Sequence, residues 1–293
     1  MSEKVYTRRD FIRGTLGAAA GAAVLGNVNL NSESDLNAAV PSRVVLVRNE
    51  KVLNEKNQVD AGVLRQMLDE TVVKFTGKTN AMDAWKSLVG AGDTVGLVAT
   101  PHLNATHEEV IEAVKTSLAA AGIPAKSIID GQGGPDKPKA CTVLIALPAL
   151  KAHWLTGIGT VLKNYIMYSG NPSGYHDENN VKLGEIWNLP FVKGKTKLVL
   201  VDALVPLCDK GPQPDPRYKW PYKGLIAGAD PVAVETVCLK VIMEKRRLIK
   251  GGPWPLSPPP VCVEAADRTY KLGTSSMENI RIEKFGWMQE ALV

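Results

Sequence analysis

The sequence predicts an α/β fold: a largely parallel sheet flanked by helices, with Pro/Gly-rich loops over one edge. Three observations carry that reading. Short continuous apolar runs recur along the chain, as strands buried on both faces require. Segments with helical apolar spacing alternate with them. Two proline-dense stretches, DKGPQPDPRYKWPYKG (209–224) and GGPWPLSPPP (251–260), break the pattern and read as loops or lids.

The elements follow in order. RVVLVRN (43–49) reads as the first strand. Residues 60–74 then place Val63, Leu64, Met67, Leu68 and Val72 at helical spacing. TVGLVAT (94–100) is the second strand. THEEVIEAVKTSLAAAG (106–122) is a helix with Thr106 as its cap, Glu109 three residues on and Gly122 closing it. SIID (127–130), CTVLIAL (141–147) and TKLVLVDAL (196–204) supply three more strands. GLIAGAD (224–230) is the sixth and leads into a helix capped by Asp230, with Pro231 at its first position. ENIRIEKF (278–285) is the seventh. All of this forms one α/β domain over residues 43–293.

The bulk numbers restrict function. A chain of 293 residues, 45% hydrophobic and 22% charged, can bury a sizeable core. The net charge of +5 is spread along the chain without a basic stripe, which argues against nucleic acid and is compatible with a small anionic ligand. The four cysteines, Cys141, Cys208, Cys238 and Cys262, show no CxxC spacing, so no iron–sulfur cluster is expected. The apolar flanks of Cys141 and Cys238 predict buried free thiols.

Residues 1–42 read as an export signal and linker. YTRRDFIRGT pairs Arg8 with Arg9, has Phe11 two residues later, and precedes the short Ala/Gly-rich run LGAAAGAAVLG. This resembles a twin-arginine signal, which implies the twin-arginine translocase as a partner and a periplasmic destination. The apolar run is too short to span a bilayer.

Chemistry concentrates in LKAHWLTGIGTVLKNYIMYSGNPSGYH (150–176), which holds two of the four histidines. Lys151 and His153, two apart in an extended segment, share a face. Gly157 and Gly159 permit a tight turn before a helix expected to start near Thr160, whose unpaired N–H groups would attract an anion. Lys163 and Asn164 follow. Lys151, Lys163, Asn164, Gly157 and Gly159 are thus expected to bind a small anionic substrate. His153 is open to two roles, acid–base catalysis with Lys151 beside it or metal ligation. A divalent metal would take His153, His176 and Asp202, with Asp177 or Asp230 as other carboxylates and His102 as another imidazole. Asp202 and Asp230 also have plain structural readings, as a turn stabiliser and a helix cap.

THEEVIEAVKTSLAAAGI, LPALKAHWLTGIGTVLKNYI, LVLVDALVPLCDKGP and GLIAGADPVAVETV together resemble the domain-of-unknown-function 362 family. The resemblance covers about residues 43–242 and implies the α/β fold without fixing a chemistry. Many members of that family carry a four-cysteine iron–sulfur module, and this chain has no such spacing. Three functional readings follow: an exported enzyme acting on a small anion, a non-catalytic periplasmic anion- or metal-binding protein, and an accessory subunit of an exported redox complex.

Overall fold

The computed structural model describes residues 40–131, 133–176 and 180–293. The expected signal residues Arg8, Arg9 and Phe11, and Asp177, lie outside them. Nine strands occur among the described residues. They are β1 (Ser42–Arg48), β2 (Val95–Ala99), β3 (Ile128–Ile129), β4 (Val143–Leu147), β5 (Ala149–His153), β6 (Gly157–Ile158), β7 (Thr196–Leu207), β8 (Gly224–Gly228) and β9 (Ile280–Gly286). The main sheet runs β3-β2-β4-β7-β8-β1-β9. Only β8 opposes its neighbours; every other pairing along this path is parallel. The fold class is the expected one, and all seven expected strands are present.

The continuous apolar runs are explained by helices on both faces. Helices α1 (Ala61–Thr76), α2 (Ala81–Leu88) and α3 (Glu108–Ala120) cover one side. There Val45, Val47, Leu97, Ile145 and Leu200 pack with Leu64, Leu68, Trp85, Val114 and Leu118. Short helices α4 (Asp136–Ala140) and α5 (Leu183–Trp187), with α6 (Pro231–Lys250) and α7 (Val261–Arg268), complete the set. On the second side Val44, Leu46, Ala146 and Val201 pack with Ile186, Val234, Val237 and Val241. Neighbouring residues of β1 therefore face opposite layers, as a pleated strand requires.

The helix ends follow local chemistry. Asp230 caps α6, its Oδ1 accepting from Val232 N and Ala233 N, both at 2.9 Å. Its Oδ2 accepts from Ser42 Oγ at 2.6 Å and Thr274 N at 3.0 Å, so the structural reading of Asp230 is the correct one. The cap of α3 differs from expectation. His107, not Thr106, precedes its first turn. The Thr106 hydroxyl instead accepts from Thr100 N at 3.0 Å and donates to Leu147 O at 2.5 Å, tying the ends of β2 and β4 together.

Two further features escaped the pattern. Strands β5 and β6 lie inside the Lys/His stretch, with β5 running parallel to the far half of β7. The two proline-rich loops are fastened rather than loose. Arg246 of α6 pairs with Asp209 at 2.7 Å, donates to the carbonyls of Cys208, Trp254 and Pro255, and stacks on the Trp254 ring. All four cysteines are free and buried, as expected for Cys141 and Cys238. No helix among the described residues is long and apolar enough to cross a membrane.

Candidate functional site

A pocket of about 240 Å³ opens beyond the carboxyl ends of β2 and β4. Parallel sheets commonly bind ligands there, because several loops diverge at that edge. The segment after β2 contributes Thr100, His102 and Leu103 to the wall, β5 contributes Lys151 and His153, and the segment beyond β6 contributes Gly159, Lys163, Asn164 and His176. Pro212, from the first proline-rich loop, closes one side. Seven of the residues singled out in the sequence thus converge: His102, Lys151, His153, Gly159, Lys163, Asn164 and His176.

The two lysines differ in what holds them. Lys151 donates from Nζ to Leu103 O at 2.9 Å and Asn104 O at 3.3 Å. Those carbonyls sit on a turn in which both Leu103 and Asn104 have positive φ. Lys163 Nζ lies 2.5 Å from His176 Nε2. His176 Nδ1 faces the Pro172 carbonyl at 2.8 Å, and since a carbonyl only accepts, Nδ1 carries a hydrogen. Burial pushes Lys151 down to about 8. Burial likewise pushes Lys163 to about 8, with the charge of Lys151 adding to the effect. No aspartate or glutamate lines the pocket among the described residues.

His153 sits in the middle of this positive field. It is 7% exposed. Leu155 N donates to its Nδ1 at 3.1 Å, which places the hydrogen of the neutral ring on Nε2. Burial, followed by Lys163, His176 and Lys151, pushes its pKa down to about 3. The His153 and His176 rings stack with centroids 6.2 Å apart.

Several expected roles change. Asn164 lines the pocket, but its amide donates to Val98 O at 2.5 Å and its Oδ1 meets the Thr100 hydroxyl at 3.4 Å. It staples the wall to the end of β2. Gly157 does not line the pocket; it has φ +73°, and a β-carbon there would come 2.7 Å from the Pro258 carbonyl oxygen. Gly159 makes room for the catalytic candidate, since a β-carbon would lie 2.9 Å from His153 Cβ. The helix expected near Thr160 is a 3-10 segment, Leu162–Ser169. Its leading N–H groups are not available to a ligand. Those of Thr160, Val161 and Leu162 turn to the buried Glu235 carboxylate, Val161 N at 2.6 Å.

The three-ligand metal set is not assembled. Asp202 points away to His107: its Oδ2 accepts from His107 N at 2.7 Å and meets His107 Nδ1 at 2.6 Å, while Oδ1 accepts from Leu204 N. No group of three or more His, Cys, Asp or Glu poised around a metal ion occurs among the described residues. His102 does line the pocket with His153, but Asp202 does not.

Sequence reasoning missed His107, Thr100 and Glu235. Glu235 did carry a signal: in PVAVETVCLKVI it is the one charge on a stripe made by Val232, Cys238 and Ile242. It is fully buried, and burial pushes its carboxyl up to about 7 against the pull of the three N–H groups.

The sequence pattern of one family, the domain of unknown function DUF362, matches residues 135–240. The match covers about a third of the chain, so DUF362 is a family that this part of the chain is similar to. The matched span runs from the start of α4 to the middle of α6 and includes Lys151, His153, Lys163, Asn164, His176, Asp202 and Glu235. The segment between β2 and α3, which supplies His102 and the carbonyls that hold Lys151, lies before it. No curated protein and no solved structure matches the chain.

Proposed function

We propose that the pocket of this protein binds a small anion and that the protein is an exported enzyme acting on it. One observation carries the reading: a buried lysine, Lys151, a half-buried one, Lys163, and the buried imidazole of His153 face one pocket whose described lining holds no carboxylate. Buried cations without a carboxylate partner are costly, and an incoming anion supplies the missing charge. The ligand's carboxylate or phosphate would sit on Lys151. His153 would move a proton at the reacting atom through Nε2.

A base with a pKa near 3 is poorly matched to neutral pH. A bound anion offsets the lysine charges and so lifts His153 toward its ordinary range, leaving the part due to burial. That mismatch also favours a second reading, a non-catalytic periplasmic anion-binding protein. The export reading rests on Arg8 and Arg9, and substituting both by lysine should leave the protein in the cytoplasm.

Calorimetric titration with acetate, lactate and phosphate tests the binding claim. Saturable binding that Lys151→Met weakens roughly 10- to 100-fold supports it; absence of binding by every anion overturns it. Turnover separates the two readings, because His153→Gln should abolish an enzyme's rate while a binding protein would retain its affinity.

A further inference from the structure

The two pocket lysines are chemically unequal, and the difference points beyond simple anion capture. Lys151 spends two N–H groups on backbone carbonyls. Carbonyls accept from an ammonium and gain nothing from an amine lone pair, so this environment favours the cation. Lys163 faces an imidazole nitrogen at 2.5 Å. With Nδ1 of His176 bound to Pro172 O, one proton lies between Lys163 Nζ and His176 Nε2. Moving it to His176 leaves an unprotonated amine in the pocket. Such an amine is a nucleophile, and a lysine in a desolvated pocket beside another cation is the arrangement that activates one. The pocket also has an apolar side, formed by Ile166, Met167, Pro172 and Pro212, suited to a short carbon skeleton.

We propose that Lys163 forms an imine with a small carboxylate-bearing aldehyde or ketone, with Lys151 holding the carboxylate and His176 carrying the proton. The proposal rests on the reading of the pocket as an anion site. Lys163 first gives a proton to His176 Nε2. Its nitrogen lone pair then attacks the carbonyl carbon, the C=O π bond breaks, and a proton shifts from nitrogen to oxygen to give a neutral carbinolamine. Protonated His176 returns its proton to that hydroxyl, which leaves as water while the nitrogen forms the C=N bond. In sum, one ammonium and one carbonyl give one protonated imine and one water, with no oxidant or reductant consumed. The depressed pKa of Lys163 is consistent with this chemistry at neutral pH.

The test uses the full chain with pyruvate and glyoxylate as probes. Sodium cyanoborohydride traps any imine as a stable secondary amine, and peptide mass mapping locates it. The expected result is modification at Lys163 well ahead of the exposed lysines, lost in Lys163→Arg and slowed at least tenfold in His176→Gln. Because Lys163→Arg could misfold, mapping of the unsubstituted protein decides the matter alone. Modification spread evenly over surface lysines, or centred on Lys151, overturns the proposal. Calorimetry with the same acids and no reductant keeps the two ideas apart: binding without an adduct sinks the imine and leaves the anion site standing, and absence of binding sinks the anion site.

Discussion

His153 and His107 are both largely buried histidines, yet their surroundings drive them in opposite directions. His153 lies among lysines, and burial with their charge lowers its pKa. Burial also works against a charged His107, but the hydrogen bond and charge of Asp202 outweigh it and raise the pKa. The first region is a pocket with cations and no described carboxylate; the second is a closed junction where α3 meets β7. Its carboxylate is spent on two backbone N–H groups and a ring nitrogen. A self-satisfied cluster holds a fold together. A cluster with unbalanced charge is where a ligand completes the chemistry.

The largest effect that should divide the two regions comes from Asp202→Ala. Asp202 is 3% exposed, and its removal orphans the N–H groups of His107 and Leu204 together with the ring. Urea unfolding should show a loss of about 3–5 kcal/mol. Anion affinity of the folded fraction should stay unchanged. A selective loss of affinity at full stability would place Asp202 in the site and erase the contrast.

Lys151→Met should do the reverse. Losing one charge-assisted hydrogen bond to a ligand costs about 1.5–3 kcal/mol, roughly 10- to 100-fold in Kd. Stability should hold or rise, because a buried cation is replaced by an apolar chain of similar length. If the variant unfolds instead, Lys151 serves chiefly to pin the Leu103–Asn104 turn.

Titration sharpens the contrast further. Both pocket lysines sit near 8, so anion affinity should fall about tenfold as pH rises to about 9. The His107–Asp202 contribution to stability follows a different curve. A histidine with a raised folded pKa contributes fully below its unfolded value of 6.5, and that contribution fades as pH rises through the folded value. Denaturant midpoints measured from pH 5 to 9, flattened by His107→Gln, should separate this from the binding curve. Coincident curves for binding and stability would mean that the two regions are one unit.

The sheet was legible because buried strands and capped helices leave local marks: the apolar runs, Asp230 before Pro231, and Gly122 with its positive φ just past the end of α3. The convergence of Lys151, His153 and Lys163 was also legible, since period-two spacing and position after β4 place them at one edge. What stayed hidden depends on partners far along the chain. Thr106 looks like a cap by sequence, yet the carbonyl of Leu147 claims its hydroxyl. Asp202 looks like a ligand until His107, 95 positions away, is brought against it. The turn before Leu162 looks like an anion cradle until Glu235 fills it from α6. In each case a local motif was read correctly as a polar group needing a partner, and the fold chose a different partner.

The smallest expected effect tests how far the pocket extends. His102 lines it but is exposed, on the segment between β2 and α3. Its side chain makes no described hydrogen bond or ring stack with Lys151, His153 or His176. A residue held so loosely gives a ligand little that solvent does not, and exposed substitutions usually move stability by less than about 0.5 kcal/mol. His102→Ala should therefore change anion affinity by no more than about twofold and leave the unfolding midpoint in place. A loss comparable to that of Lys151→Met would show that this segment folds onto the ligand. The pocket would then have a third working imidazole, and the boundary between it and the His107–Asp202 junction, five residues further on, would have to be redrawn.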